Sequence, residues 1–186
     1  LPAPIRNVLK VGGKFYLQHL LGINRNPPVF LLIIAHMRSG SSLLAHLLMN
    51  QSRILGGGES NRRYNSIEHL DDLAIRLHLE QCQLIKRPLF VLDQINHTHF
   101  LRSSTLLNHS RIRLIFLIRK PAETISSIVR TFQPIYGGWP AERAAEYYTK
   151  RIKDLTSLAN SLSSLPIFLT YDQLLNETEF HLTRIQ

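Results

Sequence analysis

The feature that most constrains the fold is an apolar strand that runs directly into a small-residue turn and then into an amphipathic helix. Residues 29–35, VFLLIIA, form a continuous apolar run, which is typical of a central parallel strand covered on both faces. The leucines of residues 43–48 recur at helical spacing. The turn between them, residues 36–42, would present backbone N–H groups at a helix start to an anion. The pattern predicts an α/β protein with an anion-binding loop, and a polar turn with an ordinary helix cap is the alternative.

This loop differs from the loop that binds ATP or GTP. That loop needs a glycine, four variable residues and then Gly-Lys-[Ser/Thr], whereas Ala35 stands here at the first glycine and Ser41 at the lysine. A basic residue, Arg38, lies inside the loop instead. Because a guanidinium holds phosphate or sulfate oxygens through a planar fork of donors, the loop suits an anion without requiring magnesium.

A second apolar strand ends in basic residues and continues as a helix. Residues 114–118 precede Arg119-Lys120-Pro121, and proline suits the first turn of a helix. In open α/β sheets ligands bind outside the carboxyl ends of the strands. Arg38 and Arg119 are therefore expected to converge on one doubly charged molecule, although Arg119 could equally be a solvated surface residue.

Together the two segments resemble the sulfotransferase family, whose members transfer a sulfuryl group from 3′-phosphoadenosine 5′-phosphosulfate to a hydroxyl or amine. Residues 37–43, MRSGSSL, match the family motif P-[RK]-S-G-[ST]-[ST]-L except that Met37 replaces proline. Residues 119–127, RKPAETISS, match R-x-P-x-[DE]-x-x-x-S at every defined position. Residues 171–175, YDQLL, are similar to the family's Y-E-D-L segment.

The resemblance implies a three-layer α/β/α domain with a mostly parallel central sheet and a P-loop-like sulfotransferase fold. Residues 38–42 would grip the 5′-phosphosulfate, Arg119 and Ser127 would bind the 3′-phosphate, and Tyr171 would lie near the adenine. The implied co-substrate is 3′-phosphoadenosine 5′-phosphosulfate (PAPS), and no metal is expected. The donor site then comprises Arg38, Ser39, Gly40, Ser41, Ser42, Arg119, Ser127 and Tyr171.

Two residues are candidates for the catalytic base. Gly58-Glu59 is similar to the glycine-glutamate element of the branch that includes protein-tyrosine sulfotransferases, and a carboxylate beside the donor could accept the proton of an acceptor hydroxyl. The cytosolic branch uses a histidine after a strand, and residues 89–92 are such a strand, with Gln94 where a lysine is expected and His97 one residue late. We expect Glu59 to be the base, with His97 as the alternative and Arg38 stabilising the leaving phosphate.

Composition agrees with a polyanionic ligand and excludes other classes. The formal net charge of +9 suits a phosphosulfate nucleotide, but would also suit nucleic acid. The basic residues are scattered and no zinc-finger or RNA-binding signature is present, so no nucleic-acid partner is expected. The apolar stretches are too short to cross a bilayer. The single cysteine, Cys82, is compatible with a reducing compartment. We expect a cytoplasmic protein, with a Golgi-lumenal domain as the alternative.

The sequence predicts one domain, residues 1–186, whose residues 1–28 form an N-terminal arm or helix. The family usually continues through another helix and a basic loop after the Tyr171 element, so the resemblance implies that the C-terminal part is missing. The predicted function is sulfuryl transfer to a hydroxyl of a carbohydrate, lipid, small alcohol or peptide. A P-loop kinase-like phosphotransferase and a non-catalytic nucleotide-binding module are the alternatives. Loops 56–64 and 134–140 would shape the acceptor pocket.

Overall fold

The structure is a computed structural model, which describes residues 27–81, 89–97, 104–133 and 138–185 together with Phe15 and His19, both helical. Apart from Phe15, His19, Pro27 and Pro28, the predicted N-terminal arm lies outside the described residues, as does Cys82. In chain order the described elements are β1 (Val29–Ala35), α1 (Ser41–Met49), β2 (Ile54–Gly56), α2 (Ile67–Glu80), β3 (Phe90–Ile95), α3 (Ser104–Leu107), β4 (Ile112–Ile118), α4 (Pro121–Phe132), α5 (Ala141–Asn160), β5 (Ile167–Thr170), α6 (Tyr171–Asn176) and α7 (Thr178–Ile185).

The strands form one parallel five-stranded sheet in the order β2-β3-β1-β4-β5. β1 lies at the centre, where Leu32 is aligned with Asp93 of β3 and with Leu114 of β4. Because the chain builds β2 and β3 on one side of β1 and then crosses to build β4 and β5 on the other, the carboxyl end of β1 is the switch point at which such sheets bind ligands.

Helices cover both faces of this sheet. On one face Phe30, Leu32 and Ile34 pack with α2, α3 and Leu155 of α5. On the other face Leu31 and Ile33 pack with α1, α6 and α7. All of these strand residues are almost completely buried, which explains why β1 reads as an unbroken apolar run. The predicted three-layer α/β/α architecture with a parallel sheet is confirmed.

One detail of the sequence-based expectations is wrong. β3 extends to Ile95, so the polar residues Asp93 and Gln94 lie inside the strand, whereas the sequence pattern ended it at residue 92. The strand continues because the buried Asp93 carboxylate receives hydrogen bonds from a neighbouring loop. Arg151 of α5 is also buried. A buried guanidinium is tolerated there because backbone carbonyls satisfy it.

The sheet brings the carboxyl ends of all its strands to one edge. The segments that follow β1, β2, β3, β4 and β5 contain, in that order, Arg38, Glu59, Asn96, Arg119 and Tyr171. Among the described helices, none is both long and apolar enough to cross a membrane.

Candidate active site

A cleft of about 400 Å³ opens at this edge of the sheet. Its volume lies within the range of roughly 300–1,000 Å³ that is usual for ligand sites. Most of the donor-site and base candidates from the sequence line it, namely Arg38, Gly40, Ser41, Ser42, Glu59, Arg119 and Tyr171. Met37, Leu43, Asn96, Thr131 and Phe132 complete the lining.

The loop between β1 and α1 has the backbone of an anion-binding turn. Arg38 and Gly40 have φ angles of 62° and 94°, so both are in the left-handed region. α1 begins at Ser41 without a capping side chain and has no acidic residue in its first turn. The first N–H groups of a helix lack partners within it, and its N-terminal dipole favours negative charge. The turn is therefore suited to hold an anionic group.

The two arginines approach the cleft from different strands. Arg38 Nε donates a hydrogen bond of 3.0 Å to Ser127 Oγ on α4. Arg119 pairs with Glu123 at 2.9 Å, and its guanidinium lies 4.2 Å from the centre of the Tyr171 ring. The Tyr171 ring in turn covers Gly40. These contacts involve five of the predicted nucleotide-site residues, of which Ser127 lies outside the cleft lining.

His36 connects the carboxyl ends of β1 and β4. Its Nε2 accepts the backbone N–H of Arg119 at 3.0 Å, and Nδ1 lies 2.9 Å from the Met37 carbonyl oxygen, to which it donates in the neutral tautomer. Burial lowers the pKa of His36, and the charges of Arg151 and Arg119 add to this effect against the Met37 hydrogen bond. The neutral histidine therefore links the segment that follows β1 to the segment that follows β4.

Glu59 lies in the loop after β2 and points to Asn96. Its Oε2 accepts a hydrogen bond of 3.0 Å from Asn96 Nδ2, while Oε1 is buried and has no hydrogen-bond partner among the described residues. Asn96 Oδ1 accepts a hydrogen bond of 3.2 Å from Ser41 Oγ. The base candidate Glu59 is therefore joined to the loop between β1 and α1 through the buried Asn96.

A buried carboxylate holds the loop that carries Glu59. Asp93 is 1% exposed and accepts hydrogen bonds from Ser60 N at 3.0 Å, from Ser60 Oγ at 2.5 Å and from the Tyr64 hydroxyl. Burial raises the pKa of Asp93, although these hydrogen bonds act in the opposite direction. Burial also raises the pKa of Tyr64, with the Asp93 charge as the second cause. Residue 60 is thus fixed directly beside the base candidate.

Two side chains of α5 support the floor of the cleft. Arg151 donates to the Ala35 carbonyl at 2.9 and 2.8 Å and to the Ile95 carbonyl at 3.0 Å, which ties the ends of β1 and β3 together. Tyr147 accepts the Met37 N–H at 2.9 Å. Burial raises the pKa of Tyr147, and the negative charge of Glu59 adds to this effect against the Met37 hydrogen bond and the Arg151 charge.

Besides Ser127, two of the sequence-predicted residues lie apart from the cleft lining. Ser39 is fully buried beneath the loop. His97 follows Asn96 at the end of β3 and does not contribute to the lining. Of the loop expected to shape the acceptor pocket, residues 134–137 lie outside the described residues, and Trp139 stacks on Phe132 at 5.2 Å between ring centres. In the described part of the chain, no cluster of histidine, cysteine, aspartate or glutamate side chains could hold a metal ion.

The sequence did not reveal His36, Asn96, Tyr147 or Arg151. The spacing of Ala144, Tyr147, Tyr148 and Arg151 is helical and could have indicated one buried polar face on α5. A polar residue directly after a buried strand, as at Asn96, is the other available signal.

The order of the sheet, the parallel strands and the helix after β1 define a P-loop-like fold of the sulfotransferase type. The sulfotransferase domain from the curacin biosynthetic pathway shares it, with a TM-score of 0.59 and 17% identity over 85% of this chain and 72% of that domain. Mouse sulfotransferase SULT7A1, solved in complex with PAP, shares it with a TM-score of 0.51 and 14% identity over 89% of this chain and 61% of the mouse protein. No protein-family model matches the sequence, and no curated protein is significantly similar to it. The resemblance predicted from the sequence is therefore confirmed at the level of the fold.

Proposed function

We propose that this chain is a sulfotransferase that moves a sulfuryl group from PAPS to the hydroxyl of an acceptor. The observation that carries the proposal is the convergence of the 36–42 loop, Arg119 and Glu59 on one cleft at the switch point of a sulfotransferase-type fold. A nucleotide with phosphate groups at two separated positions needs a cationic group near each of them. The carboxyl ends of β1 and β4 supply these groups.

The protein would hold the donor through backbone and side-chain donors. The N–H groups at the start of α1, with Arg38 and the Ser42 hydroxyl, would bind the 5′-phosphosulfate, as the motif match implies. Arg119 and Ser127 would bind the 3′-phosphate. Tyr171 covers Gly40 and lies beneath the Arg119 guanidinium, a position from which its ring could contact the adenine.

The transfer proposed here is a single in-line displacement. The acceptor oxygen forms a bond to sulfur while the bond between sulfur and the 5′-phosphate oxygen breaks, and 3′-phosphoadenosine 5′-phosphate leaves. Glu59 takes the proton of the attacking hydroxyl. Arg38 and the helix N-terminus stabilise the charge that develops on the leaving phosphate. We favour Glu59 over His97 as base because Glu59 lines the cleft.

The acceptor class stays as wide as the sequence left it: a carbohydrate, a lipid, a small alcohol or a peptide hydroxyl. The proposed donor site requires no metal, since cationic side chains and helix N–H groups complement the phosphates. The cytoplasmic location, with the Golgi lumen as alternative, stays a prediction from the sequence.

Calorimetric titration with 3′-phosphoadenosine 5′-phosphate, without magnesium and beside ATP, tests the nucleotide site. We expect the bisphosphate to bind in preference to ATP. Arg119→Ala should weaken it by roughly 10- to 100-fold, because a charge-assisted hydrogen bond contributes about 1.5–3 kcal/mol. Arg113→Ala, at an exposed arginine of β4 that contacts the Ser110 and Ile112 carbonyls, is the matched control. A folded wild-type protein that binds no bisphosphate, or that phosphorylates acceptors with ATP and magnesium, would contradict the proposal.

Transfer of labelled sulfate from PAPS to a panel of hydroxyl acceptors tests the chemistry. Glu59→Gln should keep the bisphosphate affinity and lose about 10²- to 10⁴-fold in kcat, the usual contribution of a general base. His97→Gln is the parallel variant, and a loss confined to it would move the role of base to His97. Bisphosphate binding without transfer to any acceptor would instead support a non-catalytic binding module.

A further inference from the structure

Asn96 lies between the base candidate, Glu59, and the loop that joins β1 to α1. It directly follows β3, is 7% exposed and lines the same cleft as Ser41 and Glu59. Its side chain spans the gap between the segment after β1 and the segment after β2, which flank β3 at the carboxyl edge of the sheet. None of the motif matches in the sequence assigns a role to this residue.

The chemistry of the three side chains fixes the direction of both hydrogen bonds. An ionised carboxylate can only accept, so the amide NH₂ group of Asn96 must face Glu59 and the amide oxygen must face Ser41. The Ser41 hydroxyl then donates its single proton to Asn96 Oδ1 at 3.2 Å. That proton is consequently not directed at a ligand, whereas Ser42, exposed in the same helical turn, keeps its hydroxyl available to one.

The two carboxylate oxygens of Glu59 have different surroundings. Oε2 is held by Asn96 at 3.0 Å, and Oε1 has no hydrogen-bond partner in the described part of the chain. Asn96 therefore orients the Glu59 carboxylate and leaves its second oxygen for the incoming hydroxyl. Arg38, Arg119 and Tyr171 also line this cleft, and Tyr147 senses the charge of Glu59.

Hydrogen bonds of the neighbouring residues fix the backbone next to Asn96 and next to Glu59. The neighbour of Glu59, Ser60, is bound through both its N–H and its hydroxyl to Asp93 of β3. The neighbour of Asn96, Ile95, is bound through its carbonyl to Arg151. The hydrogen bond from Asn96 to Glu59 thus joins two segments that are each held by separate hydrogen bonds. Loop movement would therefore not compensate for a change in the length of the side chain at residue 96.

We propose that Asn96 is a positioning residue of the transfer reaction, which orients the Glu59 base and links it through Ser41 to the donor-binding loop. This inference rests on the proposed function. It assigns to Asn96 an effect on proton transfer and not on donor affinity.

The test compares Asn96→Ala and Asn96→Asp with wild type, and uses Asn160→Asp, at an exposed residue that ends α5, as the control for the charge change. We expect bisphosphate affinity within about threefold of wild type for Asn96→Ala, with kcat lower by about 10- to 100-fold, as for other residues that orient a reacting group. Asn96→Asp should lose at least as much kcat, because an ionised aspartate cannot donate a hydrogen bond to Glu59 Oε2.

A measurement that needs no acceptor accompanies the kinetics. In ¹³C spectra recorded at one fixed pH, the signal of the Glu59 carboxyl group, assigned with Glu59→Gln, should shift in both Asn96 variants, because the hydrogen bond from Asn96 is lost. The Ser41→Ala and Ser42→Ala pair separates the two hydroxyls. Ser41→Ala should mainly lower kcat, and Ser42→Ala should mainly weaken the bisphosphate.

The outcomes distinguish the inference from the function on which it rests. Absence of bisphosphate binding by folded wild type removes the proposed function. Normal wild-type binding with an unchanged kcat and an unchanged Glu59 carboxyl signal in both Asn96 variants overturns only the role of Asn96. A parallel loss of bisphosphate affinity and kcat would also overturn it, since it would show that Asn96 merely supports the donor site.

Discussion

Gly40 is the residue with the strictest steric requirement in the site. Its φ of +94° lies in the left-handed region, which favours glycine. A Cβ atom at this position would also lie 2.4 Å from Cδ2 of Tyr171. Two independent constraints, on the backbone and on the space above it, therefore act on one residue between Arg38 and the first turn of α1.

The Gly40→Ala variant should lose both stability and nucleotide binding. Left-handed backbone costs a non-glycine residue about 1–2 kcal/mol, and the overlap with the Tyr171 ring should add about 1–3 kcal/mol. Gly138→Ala is the matched control, because its φ is +87° but its nearest neighbour would be 3.9 Å away. Denaturant unfolding of both variants measures the difference. Equal destabilisation would show that the contact with Tyr171 does not constrain the loop.

At this scale the sequence predicted side chains that follow a linear motif, but not those that act across elements. Arg38, Ser42 and Arg119 occupy motif positions, and the cleft contains all three. The partners of Asn96 lie 37 and 55 residues away. Whether two such side chains meet depends on strand register and loop path, which periodicity does not contain.

Between elements, His36 provides the most direct connection. It belongs to the segment that follows β1, and it accepts a backbone N–H from the segment that follows β4. Tyr148 of α5 reinforces the same junction, since its hydroxyl donates to the Arg119 carbonyl at 2.9 Å and its ring packs edge-on against the imidazole. Protonation of Nε2 would replace the acceptor with a second donor and break this connection.

We therefore expect the free energy of unfolding to depend on pH through His36. Burial lowers its pKa in the folded chain below 6.5, so below pH 6.5 the unfolded chain binds a proton that the folded chain does not. The stabilisation is complete above pH 6.5 and is lost as the pH falls through the lowered folded value. His36→Gln should reduce this slope and, through the lost hydrogen bond, lower stability near pH 7.5 by about 1–3 kcal/mol.

Denaturant unfolding between pH 5 and 8 measures the effect, and the difference between wild type and variant isolates His36 from other titrating groups. His46→Gln, at an exposed histidine of α1, is the matched control. A variant with the same pH slope as wild type would show that His36 does not contribute to it.

Elements were more predictable than contacts. The continuous apolar run of β1 and the proline at the start of α4 mark elements that the structure confirms, with β1 at its predicted bounds. β3 was predicted too short because a carboxylate inside a buried strand is unfavourable unless it is hydrogen bonded. Its donors, Ser60 and Tyr64, come from another segment, so the sequence of β3 alone did not indicate how far the strand extends.

For the whole molecule, the net charge of +9 and the cleft predict that a bound polyanionic ligand strongly raises the free energy of unfolding. A ligand that binds only the folded chain stabilises it by about 2.7 kcal/mol at 100 times its Kd. For a chain of this size, each kcal/mol raises Tm by about 2–4 °C. We expect 3′-phosphoadenosine 5′-phosphate at that concentration to raise Tm by roughly 5–10 °C.

Thermal melts with increasing bisphosphate measure this shift. Adenosine 5′-phosphate, which lacks the 3′-phosphate, should produce a smaller one, and Arg119→Ala should reduce the difference between the two nucleotides. An equal shift for both ligands in wild type would argue against a separate site for the 3′-phosphate. Added salt should diminish the effect of the bisphosphate, because the exposed part of its attraction is screened.

The position of β1 between β3 and β4 also determines when the site can exist during folding. Arg38 meets Ser127 across 89 residues of chain, and Ser41 meets Asn96 across 55. The first contact requires β1 to be paired with β4 and the second requires it to be paired with β3, and such distant parallel pairings form slowly. A nascent or partly folded chain therefore lacks the proposed nucleotide site, so a nucleotide cannot act as a template for its folding. Recognition begins only when the last neighbours of the central strand are in place.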